Sequence, residues 1–201
     1  METKYQKLFP TLIMQAESIL TNHQLNQINV DITKNEAQSI HGVVQSEPNL
    51  HKQKIYQPLC RKILELNKKY LDDSNLIYEN IEITDMWSNI IVKGQFHRPH
   101  THSNNILSGV FYPKSDNTAK IYFTDPRPQA VVLVPKSKFT THHNNSLFQL
   151  PSITNQMIIF PSWLQHYVEA STSDEPRHSI AWNIMLKGLV GDSYQFQSAT
   201  F

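Results

Sequence analysis

Apolar positions in the first third of the chain recur at helical spacing. Over residues 11–27, Leu12, Ile13, Ala16, Ile19 and Leu20 fall on one face, and Pro10 supplies a start signal. Residues 50–71 repeat the pattern more strongly, with Ile55, Leu59, Ile63, Leu66 and Tyr70 in one stripe. Pro58 lies inside that stripe. It lacks the N–H of an interior helical bond, so a kink or a division of the helix is expected there. The stretch between reads as loop, with one short strand over 42–44.

Beyond about residue 76 the period changes from helical to extended. Short β-like runs, broken by Pro, Asn and Asp, cover 77–80, 82–92, 106–112, 119–124, 130–134, 147–150, 156–160, 166–170 and 177–187. So many short strands without a helical period predict a β sandwich or barrel. Helices first and strands afterwards is the α+β order, mainly β, with the N-terminal helices packed on one sheet. With only five Gly, Asn and Pro must carry many of the turns. The expected organisation is one domain over 1–201: helical support over 1–75, a β core over 76–190 and a tail over 191–201.

Composition narrows the functional classes. A chain of 201 residues suits one well-buried domain. Eighteen Lys and Arg against 17 Asp and Glu leave no cationic footprint for nucleic acid or an anionic membrane. No apolar run approaches the ~20 residues of a membrane helix, and the opening METKYQKLFP has no apolar export region. The single Cys60 is compatible with a reducing compartment, so a cytoplasmic location is expected. The sequence does not speak to oligomeric state.

Ten His are the unusual count, and their placement matters more than their number. In a strand, residues two apart face the same way, so His100 and His102 can aim two imidazoles at one point. The competing reading is a pair of solvated loop histidines. His97 is odd-spaced from both, with Pro99 intervening, and is treated as a neighbour only. A third histidine, His166, opens a run after the apolar segment that ends at Phe160-Pro161. Arg177, Ser179, Ala181 and Asn183 share one face of the last long run. An arginine followed by a hydroxyl two residues on suits a carboxylate. Its structural alternative is a surface cation paired with Asp174 or Glu175.

The ordered phrases HRPHTHSNNILSGVFY, IYFTDPR, IIFPSWLQHYV and RHSIAWNI resemble a family of 2-oxoglutarate/iron(II) oxygenases of bacteria and phages, in the prolyl-hydroxylase-like branch. The resemblance spans roughly residues 84–187 and implies a double-stranded β-helix, a jelly-roll or cupin-like core. It implies an oxygenase using iron(II), 2-oxoglutarate and O2 on a small-molecule, amino-acid or peptide substrate, with hydroxylation as the default outcome. His100, His102 and His166 match the metal ligands, and Arg177 and Ser179 match the 2-oxoglutarate clamp. His102 stands where the wider superfamily has a carboxylate, so the ligands are three neutral imidazoles; Asp125, at a strand exit, is the other candidate third ligand.

Softer candidates are Tyr112 and Asn183 beside the cosubstrate, and Asp125, Arg127 and Trp163 toward the substrate. A turn salt bridge is the alternative for the Asp-Arg pair, and core packing for the tryptophan. Asn104, Asn105 and Ser108 are further hydrogen-bonding candidates ranked after Tyr112 and Asn183, with turn formation the alternative for the asparagines and core packing for the tyrosine, and Trp87 is a candidate pocket wall with Trp163. Two rival functions remain at this point: a cupin-like three-histidine dioxygenase not using 2-oxoglutarate, and a non-enzymatic metal- or ligand-binding β domain.

Overall fold

A computed structural model describes residues 1–34, 39–40, 43–127, 129 and 132–201. Its elements in chain order are β1 (Met14–Glu17), α1 (Asn22–Lys34), β2 (Ser39–Ile40), β3 (Val43–Gln45), two short 3-10 turns, α2 (Gln57–Asp73), β4 (Asn80–Ile91), β5 (His97–His100), β6 (Leu107–Lys114), β7 (Ile121–Thr124), β8 (Leu147–Leu150), β9 (Gln156–Pro161), β10 (His166–Val168), β11 (Arg177–Lys187), β12 (Leu189–Asp192) and β13 (Gln197–Thr200). A large sheet runs β1-β9-β6-β11-β4-β3-β2, and a small one runs β5-β10-β7-β8. The strand pairings within both sheets are antiparallel.

The large sheet is the middle of three layers, which is why β9 is buried at every position and β11 at nearly every one. Even-numbered residues of β11 (Ile180, Trp182, Ile184) join Met157 and Ile159 of β9 and Phe111 of β6 in a core with the helices. That core takes Leu25, Ile28 and Ile32 from α1 and Leu59, Ile63 and Leu71 from α2. Residues of opposite parity, such as Ile158, Phe160 and Tyr112, pack instead with Ile121, Phe123 and Leu150 of the small sheet. Gly109 lies opposite Trp182 across the β6–β11 ladder, where an added Cβ would overlap the indole.

Two helical expectations are corrected. Residues 14–17 form an edge strand on β9, not helix, because Met14 and Ala16 bury one side with period two and the ladder takes their backbone groups. Helix α1 begins later, at a reciprocal cap: Thr21 N–H donates to Gln24 Oε1 at 3.0 Å and Gln24 N–H to Thr21 Oγ1 at 3.3 Å. The stripe expected as one helix over 50–71 is divided at Pro58, one of the two expected outcomes, rather than kinked: Leu50–Lys52 and Lys54–Tyr56 are 3-10 turns, and only Gln57–Asp73 is α-helix. Pro58 occupies the first turn of α2, where no intrahelical donor is needed.

Several strand expectations also change. Residues 77–79 are not strand, as β4 starts at Asn80. The 130–134 run is not a strand at Val132, Leu133 or Val134, all largely exposed. Ala130 and Val131, and Gly42 of the expected 42–44 strand, lie outside the described residues. Instead of a tail, β12 and β13 form a two-stranded hairpin, their backbone groups finding each other rather than the core.

Candidate metal and cosubstrate site

The site lies between the two sheets, in a cavity walled by residues that include Trp87, Asn89, His97, Tyr112, Phe160, Arg177, Ser179 and the three candidate ligands. His166 opens β10 and is the register partner of His100 on β5. His102 lies just past β5, not within it; its backbone N–H donates to Ser162 O at 2.9 Å, which ties the loop to the turn before β10. The strand alternation expected for His100 and His102 is thus replaced by a loop tether.

One ligand atom from each of His100, His102 and His166 lies within 4.8 Å of the others. His102 Nε2 and His166 Nε2 are 3.3 Å apart. His100 Nδ1 lies 2.7 Å from Arg98 O and His166 Nδ1 lies 3.0 Å from Leu164 O. A carbonyl only accepts, so both Nδ1 atoms carry the proton and Nε2 keeps a free lone pair, as a metal ligand requires. His102 hydrogen-bonds Asn183. Ser108 Oγ donates to Asn183 Oδ1 at 2.8 Å and lies 2.8 Å from Ser162 Oγ, so this ring is held by a buried polar chain. Burial holds His102 down to about 4 and His166 to about 3, favouring the neutral rings that bind metal.

At the other end of the cavity Arg177 is only 2% exposed. Its Nη1 donates to Ala119 O at 2.6 Å, and its guanidinium sits 5.3 Å from the Tyr112 ring centroid. Nε has no partner among the described residues. Asp174 and Glu175 pair with Lys93 and Lys114, so the surface-cation alternative for Arg177 does not hold. A buried cation with an orphan donor and no salt bridge among the described residues, Asp116 acting on it only through its charge, is suited to a ligand's carboxylate. Three imidazoles with free lone pairs and this arginine, walling one cavity, fit a divalent iron and a 2-oxo dicarboxylate.

The family model described as "Putative 2OG-Fe(II) oxygenase" matches residues 85–183. The chain belongs to the 2-oxoglutarate–iron(II) oxygenases. No curated protein matches it in sequence. Solved structures similar to this oxygenase include the epimerase SnoN from nogalamycin biosynthesis (TM-score 0.66, 12% identity, 87% of this chain and 78% of that one). A Pseudomonas putida prolyl-4-hydroxylase is similar over 87% and 93%, at TM-score 0.61 and 12% identity. HygX from Streptomyces hygroscopicus, solved with nickel, 2-oxoglutarate and hygromycin B, is similar over 87% and 83%, at TM-score 0.61 and 8% identity. These likenesses carry the fold, a double-stranded β-helix with helices on one sheet. As a member of the family, the oxygenase uses iron(II), 2-oxoglutarate and O2.

The substrate-side candidates are not at this cavity. Asp125 binds Arg127 through two side-chain contacts of 3.0 and 2.8 Å, the ordinary turn pair, and is not in the histidine cluster. Trp163 is 56% exposed and, like Asn104 and Asn105, lines a separate apolar groove. Trp87 does reach the site, 5.9 Å from the His102 ring.

His97 is the residue that spacing arguments set aside. Val168 pairs with His97 and His166 with His100, so three steps on β5 match two on β10. That bulge, at Arg98-Pro99, inverts the parity and brings residues three apart to the same cavity wall. The proline was the available signal, since it favours bulges.

Proposed function

We propose that the oxygenase is a hydroxylase of a small-molecule, amino-acid or peptide substrate, with His100, His102 and His166 as the residues that would hold iron and Arg177 with Ser179 as the cosubstrate anchor. The observation that carries this is the pairing, in one cavity, of imidazoles whose free Nε2 atoms converge with a buried arginine that has an unpaired donor. Bound there, iron(II) and 2-oxoglutarate supply O2 activation coupled to decarboxylation to succinate and CO2.

The protein's part is geometric and electrostatic. Arg98 O and Leu164 O lock two imidazole tautomers, and the Asn183–Ser108–Ser162 chain supports the third. Arg177 and Tyr112 offer a cation and an aromatic face at the opposite end. Three neutral ligands leave a bound iron one unit more positive than a set with a carboxylate, which favours a dianionic cosubstrate. As a third protein ligand His102 would take the place that a halide needs, which disfavours halogenation and leaves hydroxylation as the default outcome. The near-balanced charge of the chain gives no support for a nucleic-acid or membrane partner, and the buried, unpaired Cys60 suits a reducing, cytoplasmic setting.

Iron binding by His100→Ala and His166→Ala, measured anaerobically with the wild type, tests the ligand set. Both variants should lose stoichiometric iron while still folding. Wild-type affinity in both would remove these residues from the metal site.

A further inference from the structure

Two buried side-chain nitrogens in the wall of the cavity have no hydrogen-bond partner among the described residues: Arg177 Nε and His97 Nε2. They belong to the same end of it. His97 is the register partner of Val168. Val168 packs with Ala119 and Ile91. Ala119 O takes the Arg177 Nη1 hydrogen bond, and Ile91 is the β4 partner of Arg177. His100, three residues along β5, faces the metal end. The His97 and His100 rings, 6.4 Å apart and edge to face, thus share one wall, His97 toward the Arg177 side and His100 toward the metal side.

Orphaned polar atoms this deep cost free energy unless something completes them. A neutral imidazole protonated on Nε2 and a guanidinium Nε–H are both donors, and one carboxylate has two oxygens to accept them. We propose that His97 is a further donor of the distal anchor, beside Arg177 and Ser179, donating from Nε2 to the same carboxylate of the 2-oxo acid that Arg177 binds. The pair thereby selects a dicarboxylate of matching length over a 2-oxo monocarboxylate. This rests on the Arg177 anchor proposed above and adds to it a positioning residue for the cosubstrate. The β5 bulge takes on a role in it, since without that extra residue His97 would turn out of the cavity.

The test compares two ligands on nickel-loaded protein by calorimetric titration: 2-oxoglutarate, and 2-oxopentanoate, which has the same carbon count without the distal carboxylate. His97→Ala should weaken 2-oxoglutarate by about 10-fold, the loss of one hydrogen bond to a charged group, and leave 2-oxopentanoate unchanged. His97→Gln, which keeps an N–H donor, should recover most of the loss. Nickel stoichiometry and thermal unfolding check that the variants keep the fold and the triad.

Equal weakening of both ligands in His97→Ala, or no weakening of 2-oxoglutarate, overturns the proposal. Arg177→Met in the same experiment separates the two levels. If Arg177→Met loses the preference for the dicarboxylate and His97→Ala does not, only the role of His97 fails. If neither variant changes that preference, the distal-anchor reading fails with it.

Discussion

The two faces of β11 are built from alternate residues of one strand and are completed by different things. Ile180, Trp182 and Ile184 meet helix side chains and finish a core within the chain itself. Arg177, Ser179 and Ala181 face a cavity, and Arg177 is left with a donor that no described residue answers. The outer face has orphan atoms too, Trp182 Nε1 and Asn67 Oδ1, but its volume is filled by α1 and α2. One strand thus contributes to stability on one side and to binding on the other, and the two can be separated by substitution.

The largest effect is expected on the packed face. Trp182→Ala removes a fully buried indole stacked over Gly109 and should cost about 3–5 kcal/mol in urea unfolding. Nickel stoichiometry in the folded fraction should be retained. A loss below ~1 kcal/mol would mean the helices reseat and the outer face is not the stabilising one.

The cavity face should respond in the opposite sense. Arg177→Met takes away a charge-assisted carboxylate contact, a loss of about 2–4 kcal/mol in binding, or roughly 30-fold or more in the 2-oxoglutarate constant. The same substitution removes a buried cation with no salt bridge among the described residues, so the ligand-free protein should be no less stable and can gain stability. Unfolding midpoints of the two metal-free proteins check this. A marked destabilisation in Arg177→Met would make the arginine a structural residue and erase the contrast between faces.

Acid sharpens the comparison further. His97 and His102 are held down to about 4 and His166 to about 3, chiefly by burial. The unfolded chain, whose histidines titrate near 6.5, binds protons first as the pH falls. Stability of the metal-free protein should therefore be steady above ~pH 7 and decline below ~pH 6.5. One such group contributes up to about 1.4 kcal/mol per pH unit until its folded-state value is reached; screening at the half-buried His102 makes its share smaller. Melting temperatures across that range, with and without nickel, read it directly, and metal should oppose the decline by holding the rings neutral. A flat metal-free profile would count against neutral, buried imidazoles.

The smallest effect is expected outside both faces. Asp125→Asn weakens a turn pair whose Arg127 partner is exposed and should change stability by about 1 kcal/mol or less, with nickel stoichiometry unchanged. Loss of metal in this variant would bring Asp125 back as a ligand in place of His102.

Where sequence reasoning succeeded, the information was local or periodic. The run 177–187 coincides with β11, and its odd residues Arg177, Ser179 and Ala181 do face the cavity, because strand parity is a property of the backbone alone. Helix α2 was legible from its stripe, since a face buried against a sheet must be apolar. Residues 14–17 were misread because a short apolar run suits either period, and pairing with β9, about 140 residues away, decides between them. The hairpin of β12 and β13 was missed for a related reason: its residues are nearly all exposed, so no buried face marks them.

By itself the sequence determined the residue types available to the site, the parity of β11, the order helices-then-strands and the phrases that carry the family resemblance. Tertiary structure decided what those residues can do. The β5–β10 register places His166 beside His100 from a distant segment of the chain, and the bulge at Arg98-Pro99 turns His97 inward against its spacing. Burial distinguishes Arg177, whose acidic neighbours in sequence are committed to lysines, from Arg127, which keeps its aspartate in a surface turn. Each of these rests on contacts between distant segments, and hydrogen-bond completion and desolvation are settled only when such segments meet.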